Sequence, residues 1–99
     1  MRRHYRVRGY RILATNARAG GNELDLIARR GGRLVFCEVK ARAGPGYGHP
    51  FEAVGPEKAR RVRRAAEAWL ATCPELGRIE VVFEVAAVRD RTVERAPLG

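Results

Sequence analysis

Lysine is almost absent from this 99-residue chain: of its 20 basic side chains only Lys40 and Lys58 are lysines, and all others are arginine. Cysteine is equally scarce. Cys37 and Cys73 lack the Cys-x-x-Cys or Cys/His spacing of a zinc site, which leaves two reduced thiols in a cytoplasmic protein as the expectation. No stretch is long and apolar enough to cross a bilayer. The opening residues Met1-Arg2-Arg3-His4-Tyr5-Arg6 are basic with no apolar run behind them, so they do not form a secretory signal. Acids are also few, 11 against those 20 bases, for a net charge of +9. That excess points to a polyanionic partner, most simply nucleic acid, with an anionic membrane or ribosomal RNA as the other classes. A hydrophobic content of 45% excludes wholesale disorder, and the length allows one domain, residues 1–99, with one modest core.

The most informative stretch is Glu38-Val39-Lys40, at the end of an apolar strand pattern. Side chains alternate across a sheet, so Glu38 and Lys40 share a face, and so do Glu23 and Asp25 one hairpin away. Tyr10 to Ala14 reads as a short first strand, followed by a polar connection through Gly21. Asn22 to Arg29 alternates as a second strand and Arg33 to Lys40 is its return. Gly31-Gly32 is a two-residue hairpin signal, since both central positions of the favoured turn need positive φ. With that loop Arg30 pairs with Arg33, Asp25 faces Glu38 and Glu23 faces Lys40. A four-residue loop keeps this pairing, whereas a three-residue loop with a bulge shifts it by one. Facing Cβ atoms lie roughly 4.5–5.5 Å apart. Two carboxylates that close repel unless a positive charge stands between them. The bland alternative is a surface ladder, with Glu23–Lys40 as a plain cross-strand ion pair.

Ala41 to Gly55 is a long connection without a period, leaving the sheet next to Lys40 and expected to overhang the acids. His49 within it can reach phosphate, although a histidine before proline in a glycine-rich loop also serves simple turn chemistry. Gly55-Pro56 opens a helix, with proline where its missing N–H costs nothing. Ala59, Val62, Ala66, Trp69, Leu70 and Cys73 form its buried stripe, which makes Trp69 core rather than a base-stacking platform. Lys58, Arg60, Arg61, Arg63 and Arg64 form its other face, either a phosphate-binding surface near the positive end of the helix or a solvated basic face. Pro74 stops the helix. Ile79 to Val88 is a last, central strand, and Arg89 to Gly99 is a polar tail expected to fray.

With these pieces placed, the chain resembles the YraN-like family of bacterial proteins within the PD-(D/E)xK nuclease superfamily. The resemblance rests on Gly9-Tyr10-Arg11-Ile12-Leu13, Asn16-x-Arg18, Glu23-Leu24-Asp25-Leu26-Ile27-Ala28, Leu34-Val35-Phe36-Cys37-Glu38-Val39-Lys40-Ala41-Arg42 and Tyr47-Gly48-x-Pro50-x-Glu52-Ala53-Val54, with Lys58 and Arg61 on the helix. It covers roughly residues 5 to 88. It implies an α/β restriction endonuclease-like core, a mixed sheet with a central hairpin and one long flanking helix in the order βββαβ. By the same match Asp25 and Glu38 are metal ligands, Lys40 is the catalytic lysine and Glu23 an accessory acid. Members usually begin with a longer amphipathic helix bearing a glutamate, whereas here only Met1 to Gly9 precede the first strand. The last strand carries Glu80 where the family usually shows aspartate.

The expected function is therefore a divalent-metal-dependent phosphodiesterase acting on DNA. Mg²⁺ or Mn²⁺ suits hard carboxylate ligands completed by water and substrate phosphate. Arg42, Lys58, Arg60, Arg61 and Arg64 would hold the nucleic-acid backbone without reading bases. The chief rival is a non-catalytic nucleic-acid-binding module on a nuclease fold, and a third reading is a basic RNA-associated factor. Carboxylates beside a polyanion argue against both, since they repel phosphate unless a cation intervenes.

Overall fold

A computed structural model describes residues 1–41, 55–89 and 92–98. They form a mixed α/β arrangement of one five-stranded sheet and two helices. Helix α1 (Arg2–Val7) leads into β1 (Arg11–Ala19), β2 (Asn22–Arg30) and β3 (Arg33–Ala41). Helix α2 (Pro56–Leu70) and a 3₁₀ turn at Pro74–Leu76 then lead to β4 (Glu80–Arg89) and β5 (Thr92–Pro97). The strands lie in chain order, antiparallel except for the β3–β4 pair, which is parallel with α2 in its crossover.

The Gly31-Gly32 hairpin forms as expected: Arg30 faces Arg33 and Leu26 faces Cys37. Gly31 takes the positive φ expected of the turn, whereas Gly32, expected to share it, does not, as in a hairpin turn that needs positive φ at its first central position alone. The first strand is longer than the sequence suggests. β1 runs to Ala19 and turns through Gly20 and Gly21, both at positive φ. Its Thr15, Asn16 and Arg18 look like a loop in sequence, but on an edge strand such polar residues face solvent without cost. β1 is also irregular: its register slips between Ile12 and Ala14, and Asn16 adopts φ 51°.

Both faces of the sheet are covered, which explains the nearly continuous apolar runs in β2 and β3. On the α2 side Leu24, Ile27, Leu34, Phe36 and Val85 pack against Ala59, Val62, Ala65 and Ala66. Trp69 meets the Phe36 ring edge-on at 5.8 Å, and Phe83 stacks on the same ring at 5.6 Å. Trp69 is thus part of the core packing, as its helical spacing predicts. On the other side Tyr5 and Tyr10 pack on Leu26, Ala28, Val35, Cys37 and Ala86. Helix α1 is a six-residue helix, too short to persist alone, and Tyr5 anchors it. The Tyr5 hydroxyl donates to Glu84 Oε1 at 3.0 Å, and the Arg95 guanidinium reaches the same oxygen at 3.2 Å while lying over the Tyr5 ring. Burial pushes the Cys37 thiol up to about 12, so it stays protonated.

The chain end corrects the sequence reading. Thr92–Pro97, expected to fray, is the edge strand β5, and the Leu98 that follows is buried in the α2-side core. The Leu98 amide donates to the Phe83 carbonyl at 2.9 Å, and Arg63 Nη2 donates to the Leu98 carbonyl at 3.2 Å. The Arg63 guanidinium also sits 5.5 Å from the centre of the Phe83 ring. Arg63 therefore fastens β5 to α2. We expect the Leu98 amide to exchange its hydrogen on the order of a hundredfold slower than a free peptide amide, as closed structure does. Free-peptide exchange at Leu98 would show that β5 is not held.

Candidate functional site

Beyond Leu26 and Cys37 the pairing of β2 with β3 stops. β2 continues against β1, with Leu24 facing Ala17 and Glu23 facing Arg18. β3 continues against β4, with Glu38 facing Val85 and Lys40 facing Ala87. The hairpin strands thus part at the level of the acids. Asp25 bridges the opening: its Oδ2 accepts the Val39 backbone N–H at 2.8 Å, in place of a strand-to-strand bond. Leu24 and Ile27, three apart, both reach the α2-side core, which simple alternation forbids. The strand twists between them, across from the positive-φ Asn16 of β1.

Glu38 is 6% exposed, the only charged residue buried among the described residues. Its Oε1 lies 3.7 Å from the ammonium of Lys40, two residues along β3, and 3.4 Å from that of Lys58. Lys58 stands in the first turn of α2, so the helix start lies over the Glu38 carboxylate. Burial and the negative charge of Asp25 raise the Glu38 carboxyl above its ordinary range, and the two ammoniums offset this only in part. A carboxylate pair with an adjacent ammonium can hold a hard divalent cation or exchange a proton. A cleft of about 470 Å³ lined by Met1, Arg2, Thr15, Asn16, Asp25, Leu26 and Val39 gives Asp25 an open side.

Not every residue singled out in the sequence arrives here. Glu23 is exposed and faces Arg18, and neither the expected Asp25–Glu38 nor the expected Glu23–Lys40 facing pair forms: the strands have parted before reaching them. Among the described residues no group of three or more His, Cys, Asp and Glu side chains converges. Arg42, His49 and Glu52 lie outside the described residues. Arg60, Arg61 and Arg64 are exposed on α2, with Arg61 paired to Glu57 at 3.2 Å. Lys58, one of the same basic run in sequence, is turned to Glu38 instead, an approach no local pattern reveals because it spans the long connection. Sequence reasoning also misses Asn16 as a residue that shapes the site, although asparagine is the residue type that tolerates positive φ within a strand.

A family model described as the uncharacterised protein family UPF0102 matches residues 1–88. The chain belongs to this family. It is 53% identical over 62 residues to the UPF0102 protein of Streptomyces griseus subsp. griseus, 63% of this chain and 52% of that protein. It is 45% identical over 82 residues to UPF0102 protein mlr4633 of Mesorhizobium japonicum, 83% of this chain and 64% of that protein. With the UPF0102 protein of a Synechococcus strain it shares 41% over 92 residues, 92% of this chain and 70% of that protein. The chain spans about half the length of the Streptomyces griseus and Acidothermus cellulolyticus relatives. The YraN-like resemblance is thereby shown at the level of the family.

The electrostatics of Glu38 set a pH dependence whose sign can be derived. Its folded-state pKa lies above the unfolded value, so between the two the folded chain holds more protons. This group's contribution to stability therefore falls as pH rises through that window, and the loss is complete above the folded value. Glu38→Gln should remove the decline. Its stability relative to wild type should improve from about pH 4 to about pH 8, read from denaturant midpoints. A Gln variant that loses ground with rising pH would mean that the lysines outweigh burial and Asp25.

Proposed function

We propose that this protein is a divalent-metal-dependent nuclease that hydrolyses phosphodiester bonds in DNA on a restriction endonuclease-like core. The observation that carries the reading is the parting of β2 and β3 at Asp25 and Glu38, with Lys40 on the Glu38 side. An antiparallel β1–β2–β3 unit followed by α2 and a parallel β4 is compatible with such a core. The net charge of +9 suits a polyanionic substrate.

The residues present fit Mg²⁺ or Mn²⁺, which one or two carboxylates commonly hold while water and substrate complete the shell. Asp25 and Glu38 offer hard oxygens. Burial first, and then the Asp25 charge, disfavour the ionised Glu38 carboxyl even with two ammoniums beside it, a cost that a bound cation would relieve, and the cleft beside Asp25 leaves room for further ligands. Bound there, the ion would supply Lewis acidity toward a phosphate oxygen and a water of lowered pKa. Asp25 and Glu38 would fix its position from two strands that the fold holds apart. The Lys40 ammonium would orient the attacking water or stabilise charge growing on the phosphate oxygens. Exposed Arg60, Arg61 and Arg64 would hold the backbone without reading sequence. Lys58 would leave Glu38 partly free when a cation arrives and turn toward substrate phosphate.

A second reading, a nucleic-acid-binding module without catalysis, draws support from one feature: both lysines already meet the Glu38 oxygen, so the carboxylate has a structural role without any metal. Cleavage of linear and branched DNAs with Mn²⁺ separates the two. We expect wild type to cleave and Asp25→Ala not to. Lys40→Ala should keep the fold and metal binding while its rate falls about a hundredfold, the scale for one electrostatic stabiliser. Lys40→Arg should not restore it, because a planar guanidinium has different reach. Wild type inert on every substrate would leave the binding module; equal rates for wild type and Lys40→Ala would remove Lys40 from the chemistry.

Binding has its own test. Replacing Arg60, Arg61 and Arg64 together by glutamine should weaken DNA binding and flatten the dependence of log K on log salt, by about one unit of slope for each phosphate no longer neutralised. An unchanged slope would mean that the backbone is held elsewhere.

A further inference from the structure

The other end of the sheet presents a different arrangement. A cleft of about 440 Å³ is lined by Gly9, Arg11, Arg29, Arg30 and Gly31, three guanidiniums and no carboxylate. Arg11 of β1 lies directly across from Arg29 of β2. Like charges placed directly opposite on neighbouring strands destabilise a sheet unless an anion compensates them. The next such pair, Arg30 and Arg33, has its compensation within the chain, since Arg33 Nε donates to Glu80 Oε1 at 2.9 Å. Arg11 and Arg29 have no carboxylate within ion-pair distance among the described residues.

Two of the three guanidiniums are also held in place. Arg29 Nε donates to the Gly31 carbonyl at 2.9 Å. Arg30 Nη1 donates to the Arg8 carbonyl at 3.1 Å, and its guanidinium lies 5.6 Å from the centre of the Tyr10 ring. Each keeps N–H donors beyond those bonds, because guanidinium has five. Fixing an arginine before the ligand arrives reduces the side-chain entropy that binding removes. Guanidiniums arranged this way match phosphate, whose oxygens accept paired N–H donors.

We propose that this hairpin-end cleft binds phosphate groups, and that its ligand is the backbone of a nucleic acid. Arg29 lies four residues from Asp25 along β2, or roughly 13 Å at about 3.3 Å per residue. That is the span of about four phosphates of one strand at about 3.4 Å each. A nucleic acid can therefore touch the cleft and the carboxylate end together. The inference shares the nucleic-acid partner with the proposed function but uses neither the carboxylates nor their chemistry.

The test uses the full chain, labelled with ¹⁵N and titrated with a 12-base-pair DNA duplex and, separately, with inorganic tripolyphosphate. The duplex should shift the amides of Gly9, Arg11, Arg29 and Gly31. Arg11→Gln should weaken duplex binding several-fold and lower the salt slope by about one, the signature of one phosphate left without its arginine. The Arg11 side chain is exposed and makes no hydrogen bond or ion pair with the described residues, so this variant should fold. Relief of the Arg11–Arg29 repulsion should leave its melting temperature at least equal to wild type in low salt, where a purely structural arginine would lower it. Asp25→Asn should leave the cleft shifts intact. Duplex shifts confined to α2 and the carboxylate end, with an unchanged slope in Arg11→Gln, would overturn the proposal and spare the nuclease reading. Cleft shifts with tripolyphosphate alone would overturn the nucleic-acid assignment. Cleft binding in a protein that cleaves nothing would sustain the proposal while the nuclease reading fails.

Discussion

A carboxylate taken out of water must be neutralised or compensated, and Glu38 is where this chain meets that demand. The compensation comes from two directions. Lys40 follows on the same strand and face, while Lys58 descends from the first turn of α2. These are the only lysines in the chain, and both end on one oxygen of one side chain. An ammonium is a compact point charge on a flexible stem, so two can approach a single oxygen from different elements. Two forked guanidiniums would compete for the same approach. The start of α2 is thereby tied to the end of β3 across the long connection, and the tie constrains where the helix begins as well as what surrounds the acid.

The opposite face of the sheet meets a similar demand differently. Glu84 faces Cys37 across the parallel β3–β4 pair, one position before the Glu38–Val85 pairing, so alternation sends the two glutamates to opposite sides. Glu84 is compensated by Arg95 and by the Tyr5 hydroxyl, and the Tyr5 ring covers the thiol of Cys37 and the small Ala86. This fastens a six-residue helix that helix propensity alone would not hold. Two buried or half-buried acids on adjacent central strands therefore each secure one helix. Glu38 is set apart by the Asp25 carboxylate, whose charge acts on it where the β2 and β3 strands part.

The hairpin and its register near the turn are legible in the sequence because glycine turn chemistry and alternation are local, and the two-residue turn sets the facing pairs from Arg30–Arg33 out to Leu26–Cys37. The α2 stripe is legible for the same reason, through its helical period. What escapes the sequence is non-local. Glu23 and Lys40 would face each other if the hairpin stayed zipped, but Asp25 takes the Val39 amide and the strands part. β5 lacks a clean alternation. Thr-Val-Glu-Arg-Ala-Pro becomes a strand because β4 offers an edge and because Leu98 and Arg63 lock its end. Lys58 reads as one more cation on a basic helix until the fold brings it to Glu38.

Charge type and position divide the molecule along its strands. The ammoniums gather at the end where β2 and β3 part, beside the acids that hold them. The guanidiniums of Arg11, Arg29 and Arg30 gather at the end where the same strands are joined by a tight turn. Phosphate is repelled by bare carboxylates and attracted by arginines that no carboxylate neutralises, so on the sheet itself a polyanion would meet attraction at the hairpin end. It meets the carboxylates favourably only where a cation stands between them and its phosphates. Binding and chemistry would then be separable functions of a single sheet, carried by different residue types at opposite ends. Arg11, Arg29 and Arg30 would belong to the first, and the two lysines to the second.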